Sequence, residues 1–305
     1  MDTRHMPVRM ILDTDIGSDV DDALALAFAL RHPAIELVAV TTVADDVVRR
    51  AQIARKLLRL AGRDDIEVAP GVGWEQGPSG RTSWFGHEGK GLLEASDGQE
   101  TFERDGVSVL LDETREGDVE VATVGMQSNI AAALERDPAF PKHVARLDVM
   151  GGVFAPVRVG AGKLPPSSDH NLMVDQQASL LALNAGMKTL YTPLDVTVQA
   201  QLLRSHVDHL RRGDTLCRAL AQQIDAWVDF AKLPGELAAI LHDPLTVACT
   251  VDRRFVTSET LPVTVAVHND AVRTFIDRAD GHEAEVITSV DGPAFADFWL
   301  ETVLR

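Results

Sequence analysis

The chain has 305 residues, 45% of them hydrophobic and 25% charged, and a formal net charge of −17 at pH 7. This composition suits a globular protein with a large buried core, while the charge repels phosphate backbones and anionic lipid surfaces and argues against nucleic acid or membrane partners. No apolar run reaches the ~18 residues of a membrane helix. The first ten residues, MDTRHMPVRM, hold no signal-peptide core, so residues 1–8 are expected to be a disordered tail and the location cytoplasmic. Cys217 and Cys249 stand far apart without zinc-like spacing, which fits a reducing compartment and no disulfide framework.

In chain order, 9–12 reads as a short strand entering an acidic loop, 23–31 as a helix, and 37–43 as a β-branched strand. Residues 49–60 carry Ile53, Leu57 and Leu60 at helical spacing, and 66–68 reads as a further strand. Beyond a Gly-rich stretch, 71–91, come strands at 119–124, 147–150 and 189–191, with helices at 129–136 and 176–184 between them. Apolar strands alternating with helices predict an α/β fold with a mostly parallel central sheet flanked by helices, a Rossmann-like core. Residues 201–241 read as largely helical (202–210 and 216–230), 263–267 and 285–288 as late strands, and 293–304 as a closing helix. No repeat or linker divides the chain, so 9–305 is expected to be a single domain. Segments 71–105 and 155–170 are expected to cross over the sheet ends, where loops gather to form a site.

The most informative segment runs Ile11-Leu12-Asp13-Thr14-Asp15-Ile16-Gly17-Ser18-Asp19-Val20-Asp21-Asp22-Ala23, with five carboxylates within ten residues. Crowded carboxylates resist ionising together, and a hard cation removes that penalty, Ca²⁺ accepting about 6–8 oxygens in flexible geometry. One or two such acids would be ordinary helix caps; five bracketed by apolar runs predict a cation site. The loop lacks the ligand spacing of an EF-hand. Asp13-Thr14-Asp15 loosely matches a haloacid-dehalogenase-type phosphatase, but that reading leaves Asp19, Asp21 and Asp22 without a role.

The segment resembles the signature of the inosine–uridine preferring nucleoside hydrolases, Asp-Thr-Asp-x-Gly followed by Asp-Asp-Ala, here with two intervening residues. The resemblance continues in Thr41-Thr42-Val43, His87 with Gly91-Leu92, Val124-Gly125 with Ser128-Asn129-Ile130, Met150-Gly151-Gly152, Asp169-His170-Asn171, Leu194-Asp195-Val196-Thr197 and His242-Asp243-Pro244. It implies a Ca²⁺-dependent enzyme of nucleoside catabolism and salvage. Such an enzyme splits the N-glycosidic bond of a ribonucleoside into base and ribose through an oxocarbenium-like transition state. The implied metal ligands are Asp15, Asp22, the Val124 carbonyl and Asp243, with water and two ribose hydroxyls completing the shell. Asp15 is implied as general base toward the water, carried by the ion, that attacks C1′. His242 is implied as the acid for the leaving base, a role suited to an imidazole near pKa 6.5. Asp21 and Asn171 are implied to bind ribose hydroxyls, and Met150 to lie beneath the sugar. A homodimer or homotetramer is also implied.

The chain departs from the family pattern in places. Ala44-Asp45-Asp46 replaces the usual Gly-Asn or Gly-Asp, putting Asp46, which accepts but cannot donate, at a sugar-binding position. Asp169 stands for a longer Glu two residues before Asn171. Residues 160–166, GAGKLPP, lack the Asn that serves the 5′-hydroxyl, which opens the way to an altered sugar or a 5′-modified substrate. His87 is expected over the base; Trp227 and Phe230, one helical turn apart, suit either a stacking wall or core packing. Asp195 is expected to order a strand end. Arg211-Arg212 and the charges of 47–50 are expected on solvated faces. Besides hydrolysis of a plain ribonucleoside, the sequence leaves open a modified N-riboside, or a non-catalytic protein that binds nucleoside and metal.

Overall fold

In the computed structural model, Val8–Thr14 forms a strand (β1) whose last five residues are buried, the environment of a central strand in a sheet covered on both faces. Residues 6–75, 77–78, 80, 82, 84–159, 162–163 and 169–305 are described. After β1 come α1 (Asp21–Arg31), β2 (Ile35–Thr42), α2 (Val47–Leu60) and β3 (Glu67–Pro70). The middle of the chain supplies α3 (Gly106–Glu113), β4 (Val119–Thr123), α4 (Ser128–Arg136) and β5 (Arg146–Met150). The short hairpin β6 (Arg158–Val159) and β7 (Gly162–Lys163) leads to α5 (His170–Val174), α6 (Gln176–Leu183), β8 (Thr189–Thr192) and α7 (Leu194–Thr197). Then follow β9 (Gln201–Leu203), α8 (Arg204–Leu210), α9 (Thr215–Ala231), β10 (Leu237–Ile240) and α10 (His242–Ala248). The chain closes with β11 (Val256–His268), β12 (Ala271–Ile276), β13 (His282–Val290) and α11 (Gly292–Val303).

Nine strands make one sheet in the order β12-β11-β13-β8-β5-β4-β1-β2-β3. The seven from β13 to β3 are mutually parallel, and β11 and β12 extend the β13 edge antiparallel. The expected α/β class with a mostly parallel sheet is what the chain adopts. Side chains of β1 alternate between two cores, Met10 and Leu12 joining one and Ile11 the other, as the two-residue period of a strand requires. Helix α1 is buried along Asp21–Ala29, and the Trp299 indole of α11 donates to the Leu24 carbonyl at 3.1 Å. Strand order reverses at β1, whose neighbours β2 and β4 lead away in opposite directions, so the loops after β1 and β4 part and leave a crevice. Among the described residues no helix is long and apolar enough to cross a membrane.

Several expectations need correction. Strand β3 runs over 67–70 instead of 66–68. The segment 201–241 is not helical throughout: β9 and β10 pair antiparallel at its ends, because Gln201-Leu202-Leu203 alternates exposed, buried, exposed. Strand β12 was not foreseen; Asn269 and Asp270, with φ of 50° and 59°, form the tight turn that folds it back on β11. Arg50 is wholly buried and not on a solvated face, whereas Arg211 is exposed and paired with Asp208 and Asp225.

Candidate active site

The crevice beyond β1 and β4 opens into a cavity of about 270 Å³. Its acidic side is lined by Asp15, Asp19, Asp21, Asp22, Asp169 and Asp243, and the rest of its wall includes Val124, Met150, Asn171, His242, Phe85 and Trp227. Asp21 and Asp243, 222 positions apart in sequence, meet because α10 packs on α1. Carboxylate oxygens of Asp21, Asp22 and Asp243, all three buried, lie within 4.8 Å of one another. The Thr14 hydroxyl donates to Asp22 Oδ1 and fixes that carboxylate at the start of α1. Asp15 is 8% exposed and faces the same cavity. Gly125 is packed so tightly that a Cβ would stand 2.9 Å from Asp15 Oδ1 and 2.8 Å from Val43 Cγ1, leaving room for no side chain there.

Burial, reinforced by mutual repulsion, pushes the carboxyls of Asp21, Asp22 and Asp243 well above the usual range. Asp19 is pushed up to about 7, first by burial. Three buried carboxylates that repel one another, with Asp15 and the Val124 carbonyl on the same wall, are a donor set that fits a hard divalent cation. The all-oxygen composition disfavours soft metals, and the thiols of Cys217 and Cys249 are buried elsewhere in the core.

Asn171 Nδ2 donates to the Val124 carbonyl at 2.7 Å and also lies 3.2 Å from the Met150 carbonyl and 3.4 Å from its sulfur. Asn171 therefore orients the groups at the ends of β4 and β5. Asp169 caps α5, accepting from the Leu172 amide at 3.2 Å, and burial raises its carboxyl to about 7. His242 Nδ1 lies 2.6 Å from the Thr197 hydroxyl, and burial lowers the imidazole to about 4, so at neutral pH the ring is uncharged. The ordinary histidine value expected from sequence is thus displaced by burial of the ring.

Other sequence-predicted residues fall outside this cavity. Asp46 caps α2 by accepting from the Arg49 amide at 2.9 Å and borders a separate groove with Asp45, Trp74 and Trp84. His87 stands one layer back, its Nε2 2.8 Å from the Ser18 carbonyl and its ring 4.2 Å from that of Phe230. Trp227 and Phe85 face the cavity, while Phe230 is 45% exposed behind them. Asp195 lies in α7 and accepts from the Phe154 amide at 2.9 Å, so it orders the loop after β5 and not a strand end. Residues 160–161 and 164–166, where the 5′-group expectation falls, lie outside the described residues.

Some residues carry the site without having been singled out. The Asp13 carboxylate is wholly buried beneath the loop, accepting from Thr41 Oγ1 at 2.5 Å and Asn129 Nδ2 at 2.6 Å, with no partner for its other oxygen among the described residues. Burial raises it to about 7. Asn129 also donates to the Thr42 carbonyl and accepts from the Val72 amide, tying the ends of β1, β2 and β3 together. The sequence signal was the position of Asn129 just after β4, one turn inside the crevice.

A sequence model described as inosine–uridine preferring nucleoside hydrolase matches residues 10–297. The pyrimidine-specific ribonucleoside hydrolase RihA of an Enterobacter species is 31% identical over 256 residues, covering 80% of this chain and 79% of its own. A probable uridine nucleosidase of Arabidopsis thaliana is 29% identical over 255 residues, covering 78% of this chain and 76% of its own. Among solved structures, a purine-preferring ribonucleoside hydrolase of Gardnerella vaginalis superposes with a TM-score of 0.81 at 26% identity, covering 97% of this chain and 98% of that one.

Proposed function

Because this chain belongs to the inosine–uridine preferring nucleoside hydrolase family and is an N-ribosyl hydrolase of nucleosides, we propose that it is Ca²⁺-dependent and uses the acidic cavity as its catalytic centre. The observation that carries this reading is the meeting of Asp21 and Asp22 with Asp243 in one buried cluster beside Asp15. Asp15, Asp22, Asp243 and the Val124 carbonyl would hold the ion, which when bound would supply Lewis acidity toward water and the ribose diol. Asp15 takes the proton of the water attacking C1′. Asp21 accepts a hydrogen bond from a ribose hydroxyl, and Asn171, which donates to the Val124 carbonyl, keeps that ligand oxygen in place. As the glycosidic bond lengthens, positive charge grows on the sugar. The carboxylates and the polarizable Met150 sulfur on the same wall stabilise it, contributing several kcal/mol.

His242 serves the leaving base as a neutral N–H donor. The role requires the tautomer in which the Thr197 hydroxyl, 2.6 Å from Nδ1, donates to that nitrogen and the ring proton is on Nε2. Phe85 and Trp227 offer the base two aromatic surfaces. Replacing His242 with alanine is expected to lower kcat on natural nucleosides by about 10²-fold or more. A nitrophenyl riboside, whose leaving group needs no proton, should lose far less; equal losses on both substrates would remove His242 from this role.

The function itself is tested by a reducing-sugar assay on uridine, cytidine, inosine and adenosine, with Ca²⁺ and with a chelator. Release of ribose that stops on chelation and returns with Ca²⁺ is expected. The pyrimidine-directed relatives put uridine and cytidine first in the panel. Undiminished turnover in chelator would overturn the metal reading; Ca²⁺ binding with no turnover on any substrate would favour a non-catalytic binding protein.

A further inference from the structure

Arg50 lies in the first turns of α2 with no solvent exposure, although it follows Val47, Val48 and Arg49 in what reads as a surface helix start. A guanidinium in that position carries a large desolvation penalty unless its donors are engaged, and each arm of this one is. Nε donates to the Ala44 carbonyl at 2.9 Å. Nη1 donates to the Asp15 carbonyl, to the Ile16 carbonyl at 3.0 Å and to Ser18 Oγ at 3.1 Å. Nη2 lies 3.4 Å from Asp45 Oδ2, and the guanidinium carbon sits 5.3 Å from the centre of the Trp84 ring.

These partners belong to three loops. The first is the carboxylate loop of Asp15 to Ser18. The second is the turn after β2, where Ala44 and Asp45 adopt φ of 72° and 50°, a left-handed conformation that is strained for side chains other than glycine and persists only where contacts hold it. The third is the 84–88 segment, which brings Phe85 to the cavity wall. That segment is joined back to Ser18, whose carbonyl meets His87 Nε2 at 2.8 Å and whose hydroxyl reaches Glu88 Oε1 at 3.5 Å. Glu88 Oε1 in turn accepts the Phe85 amide at 2.5 Å.

From this web we infer that Arg50 is a positioning residue that sets the carboxylate loop and the Phe85 segment against each other. One buried guanidinium thereby fixes both the cation-holding end and the aromatic end of the cavity. The inference rests on the proposed use of this cavity, but its primary readout does not. A lysine at this position keeps the charge and loses the planar fork, which cannot be replaced at three loops by one ammonium.

In Arg50→Lys, amide hydrogen exchange is expected to rise together in 15–18 and 84–88. Ca²⁺ affinity should fall about 10-fold and the KM for nucleoside rise about 10-fold, at a temperature where circular dichroism shows the variant folded. A merely structural role would lower the melting temperature and leave affinity, KM and exchange in the folded protein within twofold of the parent; that result overturns the inference. Exchange rising in one segment alone overturns it as well. Should Arg50→Lys fail to fold, Ser18→Ala removes the shared node between Arg50 and Glu88 with a minimal change, and the same concerted rise in exchange is required of it. If the parent lacked nucleoside hydrolysis altogether, the exchange and Ca²⁺ arms would still decide the role of Arg50.

Discussion

Replacing Asp243 with alanine or asparagine is expected to lower kcat/KM by at least about 10³-fold, about 4 kcal/mol of lost transition-state stabilisation, and to weaken Ca²⁺ binding in parallel. The same change should leave the ion-free protein more resistant to heat. Asp243 is buried against Asp21 and Asp22, and burial followed by repulsion from Asp21 raises its carboxyl well above the usual range. Without a cation this cluster strains the fold, so removing one charge relieves it. Asparagine is the cleaner probe because it preserves volume and avoids the cavity that alanine opens. In the presence of Ca²⁺ the order should reverse, since the parent gains binding energy that the variant cannot. Opposite shifts of melting temperature in chelator and in Ca²⁺, together with lost turnover, distinguish a ligand from a structural acid. An Asp243→Asn protein with parental turnover and parental Ca²⁺ affinity would end the ligand assignment.

Ca²⁺ removal should also change how stability depends on pH. Buried Asp13 and Asp169 titrate at about 7 in the folded chain against about 3.9 when unfolded. Between these values the folded state holds protons that the unfolded chain has lost, so ion-free stability is greatest near pH 4 and falls as pH rises toward 7. The slope is about 1.4 kcal/mol per pH unit for each titrating carboxyl. Asp21, Asp22 and Asp243 act in the same direction. Acids held low by arginine partners, the exposed Asp65 and the part-buried Asp252, work oppositely only below about pH 4. His242, lowered to about 4 by burial, opposes the trend between about pH 4 and 6.5 and offsets one carboxyl there, so the several buried acids still set the net fall. If the proposed Ca²⁺ site is the ionised cluster, stabilisation by the ion should grow with pH. It should reach about 2.7 kcal/mol when the free ion stands at 100 times its Kd. Calorimetric scans from pH 5 to 8, with chelator and with Ca²⁺, read both trends. Ion-free stability that stayed level or rose from pH 5 to 7 would contradict the buried, cation-seeking character of the cluster.

The division between what was legible in the chain and what was not follows the range of the forces involved. The period-two and helical patterns, the continuous apolar strands and the run from Asp13 to Asp22 are local, and from them came the parallel α/β sheet and an acidic site after β1. Errors lie where local pattern is weak: β9, three residues long, and β12, formed by a turn of two left-handed residues. The resemblance carried His242 and Asp243 to the site, but sequence alone holds no distance between Asp243 and Asp22. Packing of α10 on α1 decides that.

Charge and burial were the other blind spot. Asp46 and Arg50 sit four residues apart on one helix start, yet Asp46 caps that helix beside a separate groove while Arg50 is sealed among backbone carbonyls. Asp13 resembles its neighbours in sequence, and pleat alternation turns it away from the cavity toward Asn129 and Thr41. The sequence by itself determined the fold class and the acidic character of the site, because hydrophobic periodicity and clustered like charge are properties of short stretches of chain. Only the tertiary structure decided which acids share a cavity, that His242 is uncharged at neutral pH, and that Arg50 is buried, because dielectric surroundings and long-range contacts exist only once the sheet has closed over its helices.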